Sequence, residues 1–310
     1  MPGSPHYWPG EGASAGPSSP GPPFPPFHLP NGRLRIPTHL PPNPDFLPVQ
    51  LDDLDIDDDL ANSGATLEFT LASLHNSAHT LVQASHATGG KDNEPFISPA
   101  SPFPLVRCTR PPAPLPHPTH LLEIHFVDTG ERYRTPVHGL LWALQSPRLP
   151  HLCRRFVAPP SCASVDGAVA AGNTPGAKDE LLLPLVTFSL PCRAAWPLLH
   201  RFLYDGSAAQ LLDGLLSAPD PLPQRALDLR NGAGAAPDSA QPALDSVLVR
   251  LMRVREVWID AHALEISNRH LWATLERAYA ALVAELVDSA ADLPGCSVPG
   301  RVDSGYRPHP

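Results

Sequence analysis

His120–Cys153 reads HLLEIHFVDTGERYRTPVHGLLWALQSPRLPHLC, and the changes of rhythm within it decide the fold. Leu122, Ile124 and Phe126 alternate with Glu123 and His125, the two-residue period of a strand with one buried face. Asp128, Thr129 and Gly130 supply turn chemistry, so Arg132–Arg134 are expected to run back as a partner strand. After Pro136 the spacing turns helical through Val137, Leu140, Leu141 and Leu144, and Pro147 closes that helix and begins a second, short one.

Working outward toward the C-terminus, residues 181–206, LLLPLVTFSLPCRAAWPLLHRFLYDG, read as an apolar strand followed by a helix over about 192–204. Trp196, Leu199, Phe202 and Leu203 share one face of that helix, and Gly206 is placed to end it. Residues 207–217 continue as a helix through Leu211, Leu212, Leu215 and Leu216. Two longer helices close the domain. The first spans Leu244–Trp258, where Arg250, Arg253 and Arg255 read as solvated surface; the second spans His262–Val287, with a stripe that includes Leu271, Leu275, Tyr279, Leu282 and Leu286. Stretches rich in Gly, Ala, Ser and Pro at about 158–180 and 218–243 show no period and read as flexible insertions.

Toward the N-terminus the character changes. The chain holds 42 prolines and 21 glycines in 310 residues, and the prolines crowd the first 50 positions and 95–118, where no apolar period is sustained. Burial there cannot offset ordering entropy, so residues 1–117 are expected to be largely disordered, with a domain of about 130 ordered residues behind them. Phe24 and Phe27 stand in a polyproline-II candidate, and Leu51, Leu54, Ile56 and Leu60 stand among six aspartates. These six apolar residues are the candidate partner-binding positions; the alternatives are a solvated tail and an acidic lead into the next helix. That helix, at 66–86, is amphipathic through Leu67, Leu71, Leu74, Ala78, Leu81 and Val82, and is short enough to need a docking surface. Ser98-Pro99 and Ser101-Pro102 are candidate proline-directed phosphorylation sites. Residues 289–310 read as a disordered tail.

The order of hairpin, helix and strand, with Val137, His138 and Ser146 in the first block and Phe202–Gly206 in the second, resembles the BTB/POZ domain over residues 118–288. The resemblance implies an α+β fold in which a small mixed sheet packs on a helical cluster. It also implies a non-enzymatic interaction module that docks partner proteins and in some members self-associates as a homodimer, residues 67–86 occupying the place of the exchanged element. More narrowly, the Ala/Pro-rich composition, the acidic N-terminal half and the interrupted domain resemble clampless-type regulators of sexual development in basidiomycete fungi. That resemblance implies contacts with transcription regulators. A cullin-type ubiquitin-ligase adaptor is the alternative, although the helix from Cys192 lacks an apolar-x-Glu docking pattern.

Charge and motifs narrow the class from the residues themselves. A formal charge of −9 with 22 Lys and Arg argues against direct nucleic-acid binding, which rests on cations neutralising phosphates. Five scattered cysteines imply no disulfide framework, and the chain shows neither a secretory pattern nor a run of about 18 apolar residues. An intracellular protein, cytoplasmic or nuclear, is therefore expected, with no membrane contact. No phosphate loop, nucleophile elbow or His-Glu-x-x-His is present, so no enzyme, cofactor or metal is expected. The competing reading is an enzyme whose site is assembled from scattered residues such as His138, Cys153 and Asp205. His138, at the start of an apolar helix, reads more simply as a buried structural histidine.

Overall fold

At the centre of the sheet, β2 (His120–Phe126) is buried on both faces, with only His125 exposed. The computed structural model describes residues 36–44, 46–51, 54, 56, 63–98, 101, 103–149, 152, 180–217 and 241–291. The expected hairpin is present: β3 (Arg132–Val137) runs antiparallel to β2, with His120 opposite Val137 and Ile124 opposite Tyr133. Gly130 takes φ 71° in the connecting turn. β4 (Glu180–Leu190) lies parallel to β2 on its other side, Leu121 opposite Leu185 and Phe126 opposite Leu190. Parallel neighbours need a crossover, and the chain from 138 to 179 supplies it.

The sheet takes in a fourth strand from the proline-rich stretch before residue 118. β1 (Leu105–Thr109) pairs antiparallel with the start of β4, giving the order β1-β4-β2-β3. This strand explains why β2 departs from the one-faced pattern its alternation predicts. Leu122, Ile124 and Phe126 face the main core, whereas Leu121 joins Val106, Cys108, Leu183 and Leu185 in a smaller cluster on the opposite side. Glu123 is buried with its carboxylate held by Arg134 Nε at 2.6 Å, which supplies the charge partner that burial demands.

The helices gather on the main-core face. The segment predicted as one helix at 66–86 is two, α1 (Leu67–Asn76) and α2 (Ala78–Ala87), because Ser77 between them leaves helical geometry. Thr66 caps α1, its hydroxyl accepting from Phe69 N–H at 3.2 Å. The helix after β3 begins one residue past His138, as α3 (Gly139–Ala143), since Val137 belongs to the strand. The next is α4 (Trp196–Asp205), with Pro197 in its first turn and Gly206 ending it at φ 62°. It starts later than its apolar pattern suggested, because 191–195 form a turn. α5 (Ala208–Leu216) follows under a Ser207 cap.

The two C-terminal helices, α6 (Gln241–Ala263) and α7 (Arg269–Ala291), divide differently from the expected pair. His262 ends α6 instead of opening α7. Between them Glu265 takes φ 53°, Ser146 Oγ donates to the Leu264 carbonyl, and Ser267 N–H donates to the Gln145 carbonyl at 3.0 Å. The break is fixed by these bonds to the end of α3, which an apolar stripe along the sequence does not record. α4 is the hub, touching α1, α2, α3, α5 and α6. Its Leu199, Phe202, Leu203 and Tyr204 are at most 1% exposed, each fully buried apolar side chain contributing about 1.5–3 kcal/mol.

The arginines of α6 also differ from a solvated face. Arg250 is paired with Glu285 of α7 at 2.6 Å and reaches the Leu216 carbonyl, while Arg253 donates to the carbonyls of Gly214 and Ser217. They satisfy carbonyls at the C-terminal end of α5, where the helix dipole favours a cation.

Candidate interaction surface

The described residues of 36–56 form no helix or strand longer than a single turn, yet they are built into the molecule. Val49 and Leu54 are buried, and Ile36, Leu40, Phe46, Leu51 and Ile56 pack against the main core from partly buried positions. Three of the candidate partner-binding residues, Leu51, Leu54 and Ile56, thus direct apolar surface to the body of this chain. Leu60, Phe24 and Phe27 lie outside the described residues.

These N-terminal residues form a strap that is received by a row of rings on α6 and α7. Trp258 and His262, one turn apart, stack at 5.0 Å, and Trp272 meets Trp258 edge-on at 5.9 Å. Phe46 enters this set edge-on to His262 at 5.3 Å and tilted against Trp272 at 6.2 Å. Farther along α7, Tyr279 Oη donates to the Pro37 carbonyl at 2.8 Å. Burial raises the Tyr279 phenol to about 12, so it stays a donor at any physiological pH. A space of about 230 Å3 remains between Thr38, His39 and Leu40 on the strap and Glu276, Tyr279 and Ala280 on α7. Sequence reasoning missed Phe46 and its ring partners. The only available signal was Pro44-Asp45-Phe46-Leu47-Pro48, an aromatic residue between prolines without the periodicity that marks a core face.

A second concentration of rings and titratable groups lies where α1 and α2 meet α4. Trp142, Trp196, His200 and Tyr204 are in successive contact at 4.9–5.8 Å, and His138 meets Tyr204 edge-on at 6.2 Å. Burial lowers His138 to about 4, partly offset by the Pro116 carbonyl. It also lowers His200 to about 4, with His86 adding repulsion, and lowers His75, where Asp205 opposes the effect. The buried nitrogens His75 Nε2 and His200 Nε2 meet no partner at hydrogen-bonding geometry. His138 is therefore a buried packing residue, as its position predicts, with the Pro116 carbonyl beside its ring.

A third group surrounds the turn after β4. Asp260 of α6, fully buried, accepts from Cys192 N–H at 2.9 Å, and Asp128 accepts from Arg193 N–H at 2.9 Å. Burial pushes Asp260 up to about 8, with Asp128 and Glu256 adding repulsion against the Cys192 bond. Burial and the same three acids push the Cys192 thiol up to about 12, so it is an un-ionised thiol and a poor nucleophile.

Two of the scattered residues of the enzyme alternative are engaged in packing and capping contacts. His138 is packed on Tyr204, Asp205 caps α5 by accepting from Ser207 N–H at 2.8 Å, and Cys153 lies outside the described residues. Among the described residues no group of three His, Cys, Asp or Glu is arranged to hold a metal, and no helix is long and apolar enough to cross a membrane.

In comparison with protein families, residues 44–191 fit the model described as the Clampless protein 1 N-terminal domain. The match relates that stretch, somewhat under half of the chain, to the clampless-type family. It runs from the Phe46 end of the strap through α1, α2 and the whole sheet to the residue after β4. Comparison with curated proteins and with solved structures gives no match.

Proposed function

We propose that the chain is a non-enzymatic interaction module of BTB/POZ-like topology, acting as a regulator in fungal development through contacts with transcription regulators. The family match at 44–191 carries the regulatory reading. The topological reading is supported by a hairpin of β2 and β3, a helix, a strand parallel to β2, and then a helix ending Phe202-Leu203-Tyr204-Asp205-Gly206. Among the described residues the shifted histidines support it too, being buried in ring contacts. The cullin-adaptor alternative takes no support from the family match.

Contacts with a partner are assigned in this proposal to the acidic stretch at 51–60 and to the segment bearing Phe24 and Phe27. Leu51, Leu54 and Ile56 anchor the stretch on its own domain, and the six aspartates between Leu51 and Leu60 supply the charge that a basic partner reads. The test is binding between the purified full chain and a purified homeodomain-class regulator, beside a chain with those six aspartates changed to Asn and a chain lacking residues 1–35. Micromolar binding that weakens at least about tenfold in the Asn chain is expected. Unchanged binding in both altered chains would remove these contacts, and no binding by the full chain at about 100 µM would remove the proposal.

A further inference from the structure

We infer that the ring-lined groove of α6 and α7 is a binding site for proline-flanked aromatic peptides, held closed in the resting protein by the chain's own residues 36–50. The chemistry of the occupant is read from the segment seated there. IPTHLPPNPDFLPVQ carries five prolines, at 37, 41, 42, 44 and 48, and inserts one aromatic, Phe46, between the rings of His262 and Trp272. Proline-rich segments lose little freedom on docking and present their carbonyls to donors, and Tyr279 donates to the Pro37 carbonyl.

Several features make this self-contact exchangeable. Five positions without an N–H cannot be held by a backbone ladder, so side-chain insertion has to hold the segment. Leu47, beside the inserted Phe46, is 81% exposed, and a space of about 230 Å3 is left between the strap and α7. Glu276 lines that space, which disfavours an acidic residue at the Thr38–Leu40 end of the peptide. The predicted partner is therefore a protein presenting a Pro-x-Phe-x-Pro type segment with no acidic residue at the end that meets Glu276. This inference goes beyond the interaction-module reading and survives its failure, since it requires neither a homeodomain partner nor the aspartates.

A resident strap sets a competition. If the groove is open in only about 1% of molecules, an external peptide binds about 100-fold more weakly than it would to the open groove. The test uses the full chain, and its probe is a fluorescein-labelled synthetic peptide of residues 36–50 read by anisotropy. Phe46→Ala in the chain weakens the resident copy and should tighten binding of the peptide at least about tenfold, while a peptide carrying the same Ala should not bind either chain. In parallel, the unlabelled peptide at millimolar concentration should raise hydrogen exchange of residues 36–50 in the wild-type chain, which keeps the test valid if the variant unfolds. Displacement of the labelled peptide by residues 20–31, PGPPFPPFHLPN, would support the site with the chain's own upstream segment as its occupant. Equal binding by the wild-type and Phe46→Ala chains, or unchanged strap exchange at millimolar peptide, would overturn the inference.

Discussion

Two buried ionisable centres flank α4, and they respond to protons in opposite directions. At its C-terminal half, under α1 and α2, burial holds His75, His138 and His200 below their ordinary range; before its N-terminus, Asp260 is held up at about 8. The physical cause is shared, since a low-dielectric interior disfavours whichever form is charged. The consequences diverge because the charged form is the acid form of His and the base form of Asp. Shifted ionisable groups often mark catalysis, yet here each is enclosed by ring contacts or by the backbone of a turn. The pair teaches that a perturbed group in this fold reports how tightly an element is docked.

The largest effect is expected from breaking the histidine side mechanically. Gly206 takes φ 62°, and a Cβ there would run into the ring of His75. Gly206→Ala combines left-handed strain with overpacking and should cost about 2–4 kcal/mol, with amide exchange in α1 rising before exchange in the sheet. Equal loss of protection in α1 and β2 would mean that α1 is not separately docked.

Acidification comes next and breaks the same side chemically. With His138 and His200 at about 4 when folded and an ordinary imidazole when unfolded, stability is level above pH about 6.5 and falls as pH drops toward 4. The loss reaches at most about 3 kcal/mol for each of the two rings. Urea midpoints across pH 4–7 measure it, and His138→Phe should flatten the curve.

Asp260 gives the converse and slightly smaller effect. An aspartate raised to about 8 by folding is most favourable when protonated, below pH about 4, and its contribution to stability declines as pH rises to 8. Asp260→Asn keeps an oxygen for Cys192 N–H and removes the buried charge, so it should gain about 1–3 kcal/mol at pH 8, the gain shrinking toward pH 4. Melting temperatures of both proteins across pH 5–9 show whether the gap widens with pH as required. The smallest effect is expected at Arg253, outside both centres: Arg253→Ala uncaps the Gly214 and Ser217 carbonyls and should cost about 1 kcal/mol in urea titrations.

Much of this architecture was legible in residue order because it rests on local periodicity. The alternation at Leu122–Phe126, the turn at Gly130 and the apolar faces of α4 and α7 all correspond to observed elements. What escaped the reading depends on distant partners. β1 was hidden in a proline-rich stretch because its pairing with β4 spans more than 70 residues, and the α6–α7 break depends on Gln145 and Ser146. Phe46 was equally invisible: Leu51, Leu54 and Ile56 were singled out for their acidic neighbours, whereas the aromatic that enters the ring row stood among prolines with no period to mark it.

Taken alone, the order of residues determined the β2–β3 hairpin, the apolar strand β4, the helix faces, the turn glycines and the absence of a recognisable catalytic motif, because each is a property of a few neighbouring side chains. Only the tertiary structure decided which apolar residues of the N-terminal half are spent on the fold, which histidines and carboxylates are held neutral, and which rings form a groove. Those outcomes follow from burial and from contacts between residues far apart in the chain, and neither quantity exists until the chain has closed on itself.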